Sequence, residues 1–294
     1  MKIQFLNGGL ANQAFQYIFT RYYELTYPGQ TMYMDDSYFA LNTVHNGYEL
    51  EKVFGIKPHM LSTCFDENDW NYILSERRNG KSVPQILNEN GMDMVMVAES
   101  GNYREFNPFL GKVFPIPCNE YHPEILTLPM NTYYHGYWIN KSWIREYNDI
   151  IRKDFAFPQI TEEHNKKYLD IIKNTNSVAL HIRRGDYVTY GLAVPEDTYY
   201  KMCEAFIYRY SDKWRVIVFS DDIQWCRDNA DRLGIHLFEE AVYIEGNING
   251  LNYRDMQLMM ECKGMIMSTS AFCYLAALLR DNNDYILNIS GREL

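Results

Sequence analysis

The feature that most constrains the fold is a regular alternation of strand and helix patterns in the second half of the chain. Short apolar runs typical of buried strands lie at residues 178–182, 215–219, 265–267 and 285–287. Patterns that predict helices fall around these runs at residues 162–173, 195–210, 222–233, 253–262 and 271–280, with one further short strand at 236–238. This alternation predicts an open parallel sheet with helices on both faces.

The beginning of the chain carries the same kind of pattern. Residues 3–6 predict a strand, Asn7-Gly8-Gly9 a turn, and residues 11–27 a helix that Pro28-Gly29 ends. Residues 31–34 predict a second strand. Strand, glycine turn, helix and strand are the opening of a βαβ unit, so the chain is predicted to be α/β at both ends.

The middle of the chain, about residues 40–130, has weaker patterns. A strand is predicted at residues 94–97, an extended segment at 133–138 and a helix at 142–153. Pro158 follows, and we place a domain boundary there. The prediction is therefore an N-terminal α/β domain over residues 1–157 and a C-terminal one over 158–294.

Composition excludes several classes of protein. The chain has 294 residues and a net charge of −10 without a long basic run, which argues against sequence-independent nucleic-acid binding. Its six cysteines form no C-x-x-C pair and show no zinc spacing, which favours reduced thiols in a cytoplasmic protein. The first residues predict a strand rather than a signal peptide, and no apolar run is long enough to span a bilayer.

The run His181-Ile182-Arg183-Arg184-Gly185-Asp186 places two adjacent arginines at the end of a predicted buried strand. A guanidinium is always charged, and its planar fork matches two phosphate oxygens at once. The run therefore favours an anionic ligand such as a diphosphate, and a surface ion pair between arginine and Asp186 is the alternative. His181 either contacts that ligand or is an ordinary buried histidine.

Three other segments follow predicted strands, where ligands of open α/β sheets bind. Ser268-Thr269-Ser270 opens a helix and is either a phosphate site or a plain N-cap. Asp221-Asp222 offers carboxylates to a ribose or a base, and Asp222 is alternatively a helix cap. The Asn7 to Gln13 run, with Asn12 and Gln13 at a helix start, can offer amides to a sugar or a phosphate. No P-loop pattern occurs, and isolated Asp-Asp pairs favour no metal site.

Together these motifs resemble the α-1,2-fucosyltransferases of glycosyltransferase family 11. The N-terminal family pattern is similar to Gly8-Gly9-Leu10-Ala11-Asn12-Gln13-Ala14-Phe15-Gln16-Tyr17, with Ala11 in place of a glycine. The H-x-R-R-x-D pattern shared by α-1,2- and α-1,6-fucosyltransferases matches residues 181–186. Further similar stretches lie at residues 34–37, 48–51, 136–138, 219–222 and 255–259, so the resemblance covers nearly the whole chain. It departs at residues 270–275, where the family usually has a run similar to Ser-Ser-Phe-Ser-Trp-Trp.

The resemblance implies a GT-B type fold, in which two doubly wound parallel-sheet domains face each other across a cleft. It implies metal-independent, inverting transfer of L-fucose from GDP-β-L-fucose to O2 of a terminal galactose, with GDP-fucose as co-substrate and no cofactor. The C-terminal domain is expected to hold the donor and the N-terminal domain the acceptor. Association with the inner face of a membrane through glycolipid acceptors is compatible with a cytoplasmic protein.

Site roles follow from the resemblance and the residues together. Donor binding is predicted for Arg183, Arg184, Asp186, Asp221, Asp222, Ser268, Thr269 and Ser270. Contacts to the fucose or the acceptor are predicted for Gly8, Gly9, Asn12 and Gln13. Arg183 is the main catalytic candidate, and Asp35 is the predicted general base with His181 second. Two alternatives stay open: α-1,6 transfer from the same donor, and a protein that binds a GDP-sugar or a glycan without turnover.

Overall fold

A computed structural model describes residues 1–99 and 113–294 of the chain. The chain divides into two compact units, Met1–Ala156 and Phe157–Leu294. Each unit is built around a five-stranded sheet in which every strand pair is parallel. The roles predicted for the two domains stay predictions. No helix of the described residues is both long enough and apolar enough to cross a bilayer.

The first unit has the strand order β2-β1-β5-β3-β4. Its strands are β1 (Lys2–Phe5), β2 (Met32–Asp35), β3 (Met94–Glu99), β4 (Val113–Ile116) and β5 (Asn131–His135). Its helices are α1 (Leu10–Thr26), α2 (Ser37–Leu41), α3 (Leu50–Phe54), α4 (Glu67–Arg78), α5 (Val83–Glu89), α6 (Ser142–Arg145) and α7 (Asn148–Asp154). Short 3₁₀ turns lie at Leu61–Cys64 and Pro123–Thr127.

The second unit has the strand order β10-β9-β6-β7-β8. Its strands are β6 (Ser177–Ile182), β7 (Arg215–Ser220), β8 (Glu240–Tyr243), β9 (Gly264–Met267) and β10 (Tyr285–Asn288). Its helices are α8 (Glu163–Lys173), α9 (Gly185–Thr189), α10 (Glu196–Arg209), α11 (Ile223–Asp228), α12 (Tyr253–Glu261) and α13 (Ala271–Leu279). A 3₁₀ turn spans Ile235–Leu237.

The central strand β6 shows why the second sheet forms. All six of its residues are buried, as expected for a parallel strand covered by helices on both faces. Val178, Leu180 and Ile182 pack into one core with the rings of Phe206 and Trp214. These two rings lie 5.0 Å apart in an edge-to-face arrangement, which adds to the burial of apolar area.

In each sheet the connections run first to one side of the first strand and then to its other side. In the second unit β7 and β8 follow β6 on one side, and the chain then crosses over to β9 and β10 on the other. In the first unit β2 follows β1 on one side, and β3, β4 and β5 lie on the other. Ligands of open α/β sheets bind beyond the carboxyl ends of the strands at such a reversal. The two edges of interest are therefore the carboxyl ends of β6 and β9 and those of β1 and β5.

The α/β architecture predicted from the sequence is confirmed, but several elements differ. The strand predicted at 236–238 is wrong, because Gly234 adopts a left-handed conformation (φ +76°) and starts a 3₁₀ turn there. The edge strand instead begins at Glu240. The helix predicted at 222–233 ends at Asp228.

The first unit also differs from its prediction. The helix predicted at 142–153 is interrupted at residues 146–147. Tyr147 leaves the helical conformation there, and its ring packs against Tyr22 at 5.7 Å. Helices α2 to α5 and strand β4 were absent from the sequence prediction: all but α4 are short, and α4 carries many polar residues.

Candidate functional site

The arginine pair lies at the carboxyl end of β6, where the connections of the second sheet reverse. Arg183 Nη2 donates to Asp186 Oδ1 at 2.7 Å, and Nη1 lies 3.0 Å from Asp221 Oδ2. The side chain of Arg183 is 32% exposed. Its guanidinium is thus fixed by two carboxylates while part of it still faces solvent.

Arg184 is held differently from its neighbour. Its backbone N–H donates to Asp221 Oδ1 at 2.8 Å, and its side-chain Nε donates to Asp222 Oδ2 at 3.2 Å. The guanidinium carbon lies 3.4 Å from the ring centroid of Trp225, which is the stacked geometry of a cation–π contact. Trp225 was absent from the sequence prediction, although its place on α11, three residues after Asp222, is a usable signal.

Asp221 is the centre of this cluster. One of its oxygens accepts the Arg184 N–H and the other faces Arg183. A Cβ added at Gly185 would lie 2.5 Å from Asp221 Oδ2, so glycine is the residue that lets α9 begin beside this carboxylate. The structure thus brings together Arg183, Arg184, Asp186, Asp221 and Asp222, all predicted from the sequence as donor-binding residues.

The Ser268-Thr269-Ser270 segment follows β9 at the same edge. Ser270 is the N-cap of α13, with its hydroxyl accepting from the Phe272 N–H at 3.2 Å. Ser268 is buried, and its Oγ lies 2.8 Å from His181 Nδ1. Thr269 is only partly buried. The capping alternative therefore describes Ser270, while Thr269 remains accessible at the helix start.

A further cation lies beside this segment. Arg292 Nη1 donates to the Thr269 carbonyl at 3.2 Å. Burial raises the pKa of Tyr187, and the positive charges of Arg183 and Arg292 both lower it. Both cations thus act on one ring at this edge. Arg292 was absent from the sequence prediction, because it lies after β10, far along the chain from the arginine run.

His181 occupies the buried position that sequence analysis gave as its alternative. Burial, together with the positive charge of Arg183, lowers its pKa to about 3. The ring is therefore neutral at physiological pH, and it hydrogen-bonds Ser268. In this arrangement it supports the segment after β9.

The loop after β1 forms the corresponding edge of the first unit. Gly8 has a left-handed backbone (φ +78°), and a Cβ there would lie 2.7 Å from Asn12 Nδ2. Gln13 is fully buried: its Nε2 donates to the carbonyls of Gly8 and Gly47, both at 2.9 Å, and its Oε1 accepts from Glu49. The buried side chain of Gln13 therefore stabilises the conformation of the loop after β1 through these hydrogen bonds.

Accessible groups of this loop lie above Gln13. Gly9 and Asn12 are only partly buried, so they remain available to a sugar. The Gly8 carbonyl accepts from Gln13, so Gly8 acts by its backbone shape. The contacts predicted for Gly8, Gly9, Asn12 and Gln13 thus divide into accessible groups and buried supports.

Asp35 ends β2 and is fully buried. Its Oδ2 accepts from the Tyr133 hydroxyl at 2.6 Å and its Oδ1 from the Ser37 N–H at 3.0 Å. Burial raises the pKa of Tyr133 well above its ordinary value, so the phenol keeps its proton and remains the donor. In this structure Asp35 does not face solvent, and its role as general base stays a prediction that needs this contact to open.

Glu99, at the carboxyl end of β3, is a buried residue that sequence analysis missed. Its Oε2 accepts from the N–H groups of Tyr137 and Trp138 at 2.7 and 3.2 Å, and its Oε1 accepts from Asn119 at 2.8 Å. Trp138 has a left-handed backbone (φ +58°), which is costly for a bulky residue. Glu99 therefore fixes a strained turn that begins at Gly136, beside the loop after β1.

Comparisons with known proteins place this geometry in context. The model of a protein family described as "Glycosyl transferase family 11" matches residues 105–290. The chain is 26% identical over 289 residues to an alpha-1,2-colitosyltransferase of Escherichia coli, covering 94% of this chain and 86% of that protein. It is 26% identical over 307 residues to the O-antigen biosynthesis glycosyltransferase WbnK of Escherichia coli, covering 98% and 93%.

Solved structures include a similar fold. The crystal structure of the fucosyltransferase NodZ from Bradyrhizobium matches with a TM-score of 0.50 and 14% identity, over 95% of this chain and 93% of that one. At this identity the likeness concerns the fold alone. The predicted GT-B fold class is confirmed.

The close approach of Gly185 to Asp221 leads to a first prediction. Gly185→Ala puts a methyl group 2.5 Å from Asp221 Oδ2 and forces that carboxylate away from Arg183 and from the Arg184 N–H. The sequence predicts GDP as part of the donor, and on that expectation the affinity for GDP, measured by calorimetry, should weaken at least about tenfold, since charge-assisted bonds are worth about 1.5–3 kcal/mol. Thr189→Ala, an exposed change on the same helix, is the matched control. Equal GDP affinity in both variants would contradict the arrangement.

The low pKa of His181 leads to a second prediction. An unfolded histidine titrates near 6.5 and the folded one near 3, so the unfolded state binds more protons in this window. The free energy of unfolding should fall as the pH is lowered from 6.5 towards 3, and His181 contributes about 1.4 kcal/mol per pH unit.

Urea unfolding across this range measures that contribution. His181→Asn should have a shallower slope than the wild type, because the titrating ring is gone. His236→Asn, at an exposed histidine, is the control for removing a histidine side chain. An unchanged slope in His181→Asn would show that the His181 pKa is not depressed.

Proposed function

Because this chain belongs to glycosyl transferase family 11, we propose that it moves L-fucose from GDP-β-L-fucose to O2 of a terminal galactose. The transfer inverts the anomeric carbon and needs no metal ion. The observation that carries the proposal is the arginine pair at the reversal of the second sheet, with a helix start and a third arginine beside it. Fixed positive charge and a helix amino terminus are the groups that stabilise a leaving diphosphate.

In the proposed donor complex, Arg183 and Arg184 bind the diphosphate. A guanidinium carries five N–H groups, and the carboxylates around Arg183 use only some of them. Asp186 and Asp222 have side-chain exposures of 44% and 43%, so each can turn into water when phosphate oxygens take its place. Asp221, at 25%, stays and keeps the backbone of Arg184 in position.

The leaving group determines the chemistry. As the bond from fucose C1 to the diphosphate breaks, negative charge grows on the phosphate oxygens. Fixed arginine charges and the partial positive charge at the start of α13 lie at the same edge of the sheet and need little reorganisation. Thr269 contributes a hydroxyl at the same place. This set of groups performs the charge neutralisation that a metal ion performs in other transferases.

The guanosine and sugar contacts complete the assignment. Asp222 is placed to accept from the ribose or the base once it leaves Arg184. In the first unit, Asn12 and the backbone of Gly9 are assigned to the fucose or the acceptor. Galactose O2 attacks fucose C1 from the face opposite the departing GDP, and its proton passes to a base, for which Asp35 is the candidate and His181 the second.

GDP-colitose is a second candidate donor, because one relative is named an alpha-1,2-colitosyltransferase. Colitose differs from fucose by lacking the hydroxyl at C3. A site that hydrogen-bonds this hydroxyl discriminates strongly against the deoxy sugar, whereas an apolar site discriminates weakly. Competition between GDP-fucose and GDP-colitose in one assay therefore identifies the donor, and transfer of colitose alone would replace fucose in the proposal.

The assigned role of Arg183 predicts a specific kinetic effect. Arg183→Lys keeps the charge but loses the two-pronged geometry. Turnover of GDP-fucose should fall at least about 10²-fold, the usual loss when one transition-state charge contact is removed. Arg209→Lys, on α10 and outside the cluster, is the control. Wild-type turnover in Arg183→Lys would remove the diphosphate role.

The candidate base has its own test. Asp35→Asn keeps the size of the side chain and removes its basicity. If Asp35 takes the proton, turnover should fall about 10²- to 10⁴-fold, while GDP affinity stays at the wild-type value. Tyr133→Phe removes only the hydrogen bond that covers Asp35 and separates support from catalysis. Near-normal turnover in Asp35→Asn would end the assignment.

Acceptor analogues separate α-1,2 transfer from the alternatives. With EDTA present, lactose should be fucosylated, and lactose that lacks the galactose O2 should not. A product from the deoxy acceptor would indicate another position, such as O6. Tight GDP binding with no product from any galactoside would favour the alternative of a binding protein without turnover.

A further inference from the structure

A cavity lies at the opposite end of the second sheet from the arginine pair. It is formed where α12 and α13 end and where β9 and β10 begin, so it opens at the amino edge of the sheet. Its volume is about 440 Å³. Its lining includes Glu261, Lys263, Arg280, Asp281, Asn282 and Tyr285. None of these residues belongs to the donor site described above.

Arg280 is the unusual member of this lining. It is only 5% exposed, and its Nη2 donates to the carbonyls of Cys262 and Lys263 at the end of α12. Its Nε and Nη1 are buried and have no hydrogen-bond acceptor among residues 1–99 and 113–294. A buried guanidinium with two unused nitrogens is strongly unfavourable unless a further acceptor reaches it.

The charges around the cavity restrict what this acceptor can be. Burial lowers the pKa of Arg280, and the nearby Asp284 carboxylate acts in the opposite direction. Lys263 is exposed at the rim, where its Nζ donates to Asn176 at 2.7 Å. Glu261, which pairs with Lys173 at 3.4 Å, and Asp281 also line the cavity and would repel a highly charged anion. A small oxyanion of low charge fits best.

We propose that this cavity is a binding site for a small oxyanion, a single carboxylate or phosphate group, that supplies the missing acceptors to Arg280. The carbonyls at the end of α12 keep the guanidinium in place, and the oxyanion accepts from its remaining N–H groups. Tyr285 and Asn282 offer further polar atoms from the wall. Helix α13 runs from the donor edge to this cavity, so the bound anion would stabilise the same helix that begins at Ser270.

The test uses the whole protein saturated with GDP, so that the donor site is already occupied. Inorganic phosphate and acetate are titrated separately against chloride at matched ionic strength. The readout is the side-chain ¹⁵Nε resonance of Arg280, identified by its loss in Arg280→Lys. We expect a saturable shift of this resonance with at least one anion, together with a rise in Tm from preferential binding to the folded state.

The separate titrations with phosphate and acetate distinguish a phosphate group from a carboxylate. A response to phosphate alone identifies a phosphate group, a response to acetate alone a carboxylate, and a response to both the shared chemistry. Lys263→Ala removes a cation of the rim and should weaken the saturable response at least severalfold, whereas Arg183→Lys should not change it.

Two results would overturn the proposal. One is an Arg280 resonance that responds to neither anion beyond the chloride control. The other is a response of equal strength in the wild type and in Lys263→Ala. Arg280→Lys serves only to identify the resonance; the response itself is followed in the wild-type protein and is independent of the proposed transferase activity.

Discussion

The ion-pair cluster at the carboxyl end of β6 is the constraint on which the rest of the account depends. Arg183 and Arg184 leave a strand that is buried on both faces, so their backbone cannot move with the ligand. Asp221, from the neighbouring strand end, fixes both arginines at once, through a side chain of one and the N–H of the other. Preorganised charge of this kind is what a leaving diphosphate needs, because the arginines need not be gathered during the reaction.

The sequence allowed two interpretations of the arginine pair, a surface ion pair and a site for an anionic ligand, and the cluster is compatible with both. The arginines do form ion pairs with aspartates, and they also point out of a sheet where its connections reverse. These facts are compatible because partly exposed ion pairs are weak and exchange readily with a better anion. In the proposed donor complex, the observed ion pairs are the arrangement before the phosphates bind, and Asp186 and Asp222 are the groups that the phosphates displace.

Several polar residues near the two edges serve the backbone rather than a ligand. The side-chain amide of Gln13 hydrogen-bonds the loop after β1, and the carboxylate of Glu99 accepts hydrogen bonds from the strained turn at Trp138. Asp35 and His181 are also buried and bonded to the hydroxyls of Tyr133 and Ser268, and the base role proposed for either one requires that contact to open. A motif residue can thus contribute by holding a loop in its conformation rather than by contacting a ligand.

The sequence could predict the elements that have a local apolar pattern, and it could not predict contacts between residues far apart in the chain. Buried parallel strands such as β6 and β7 are continuous apolar runs, so their positions and the residues after them were predictable. Strand β8 is an exposed edge strand with the sequence Glu-Ala-Val-Tyr, which carries no such signal. The burial of Asp35 depends on Tyr133, 98 residues away, and the stacking of Arg184 depends on Trp225, so local patterns could not reveal either.

The central claim is that the arginine pair binds a diphosphate, and calorimetric titration of GDP and GMP tests it most directly. In the wild type, GDP should bind at least about tenfold more tightly than GMP, because its second phosphate group hydrogen-bonds the Arg183 guanidinium. In Arg183→Gln that difference should nearly vanish, while the affinity for GMP changes little. Equal affinities of the wild type for GDP and GMP, or an undiminished difference in Arg183→Gln, would contradict the account.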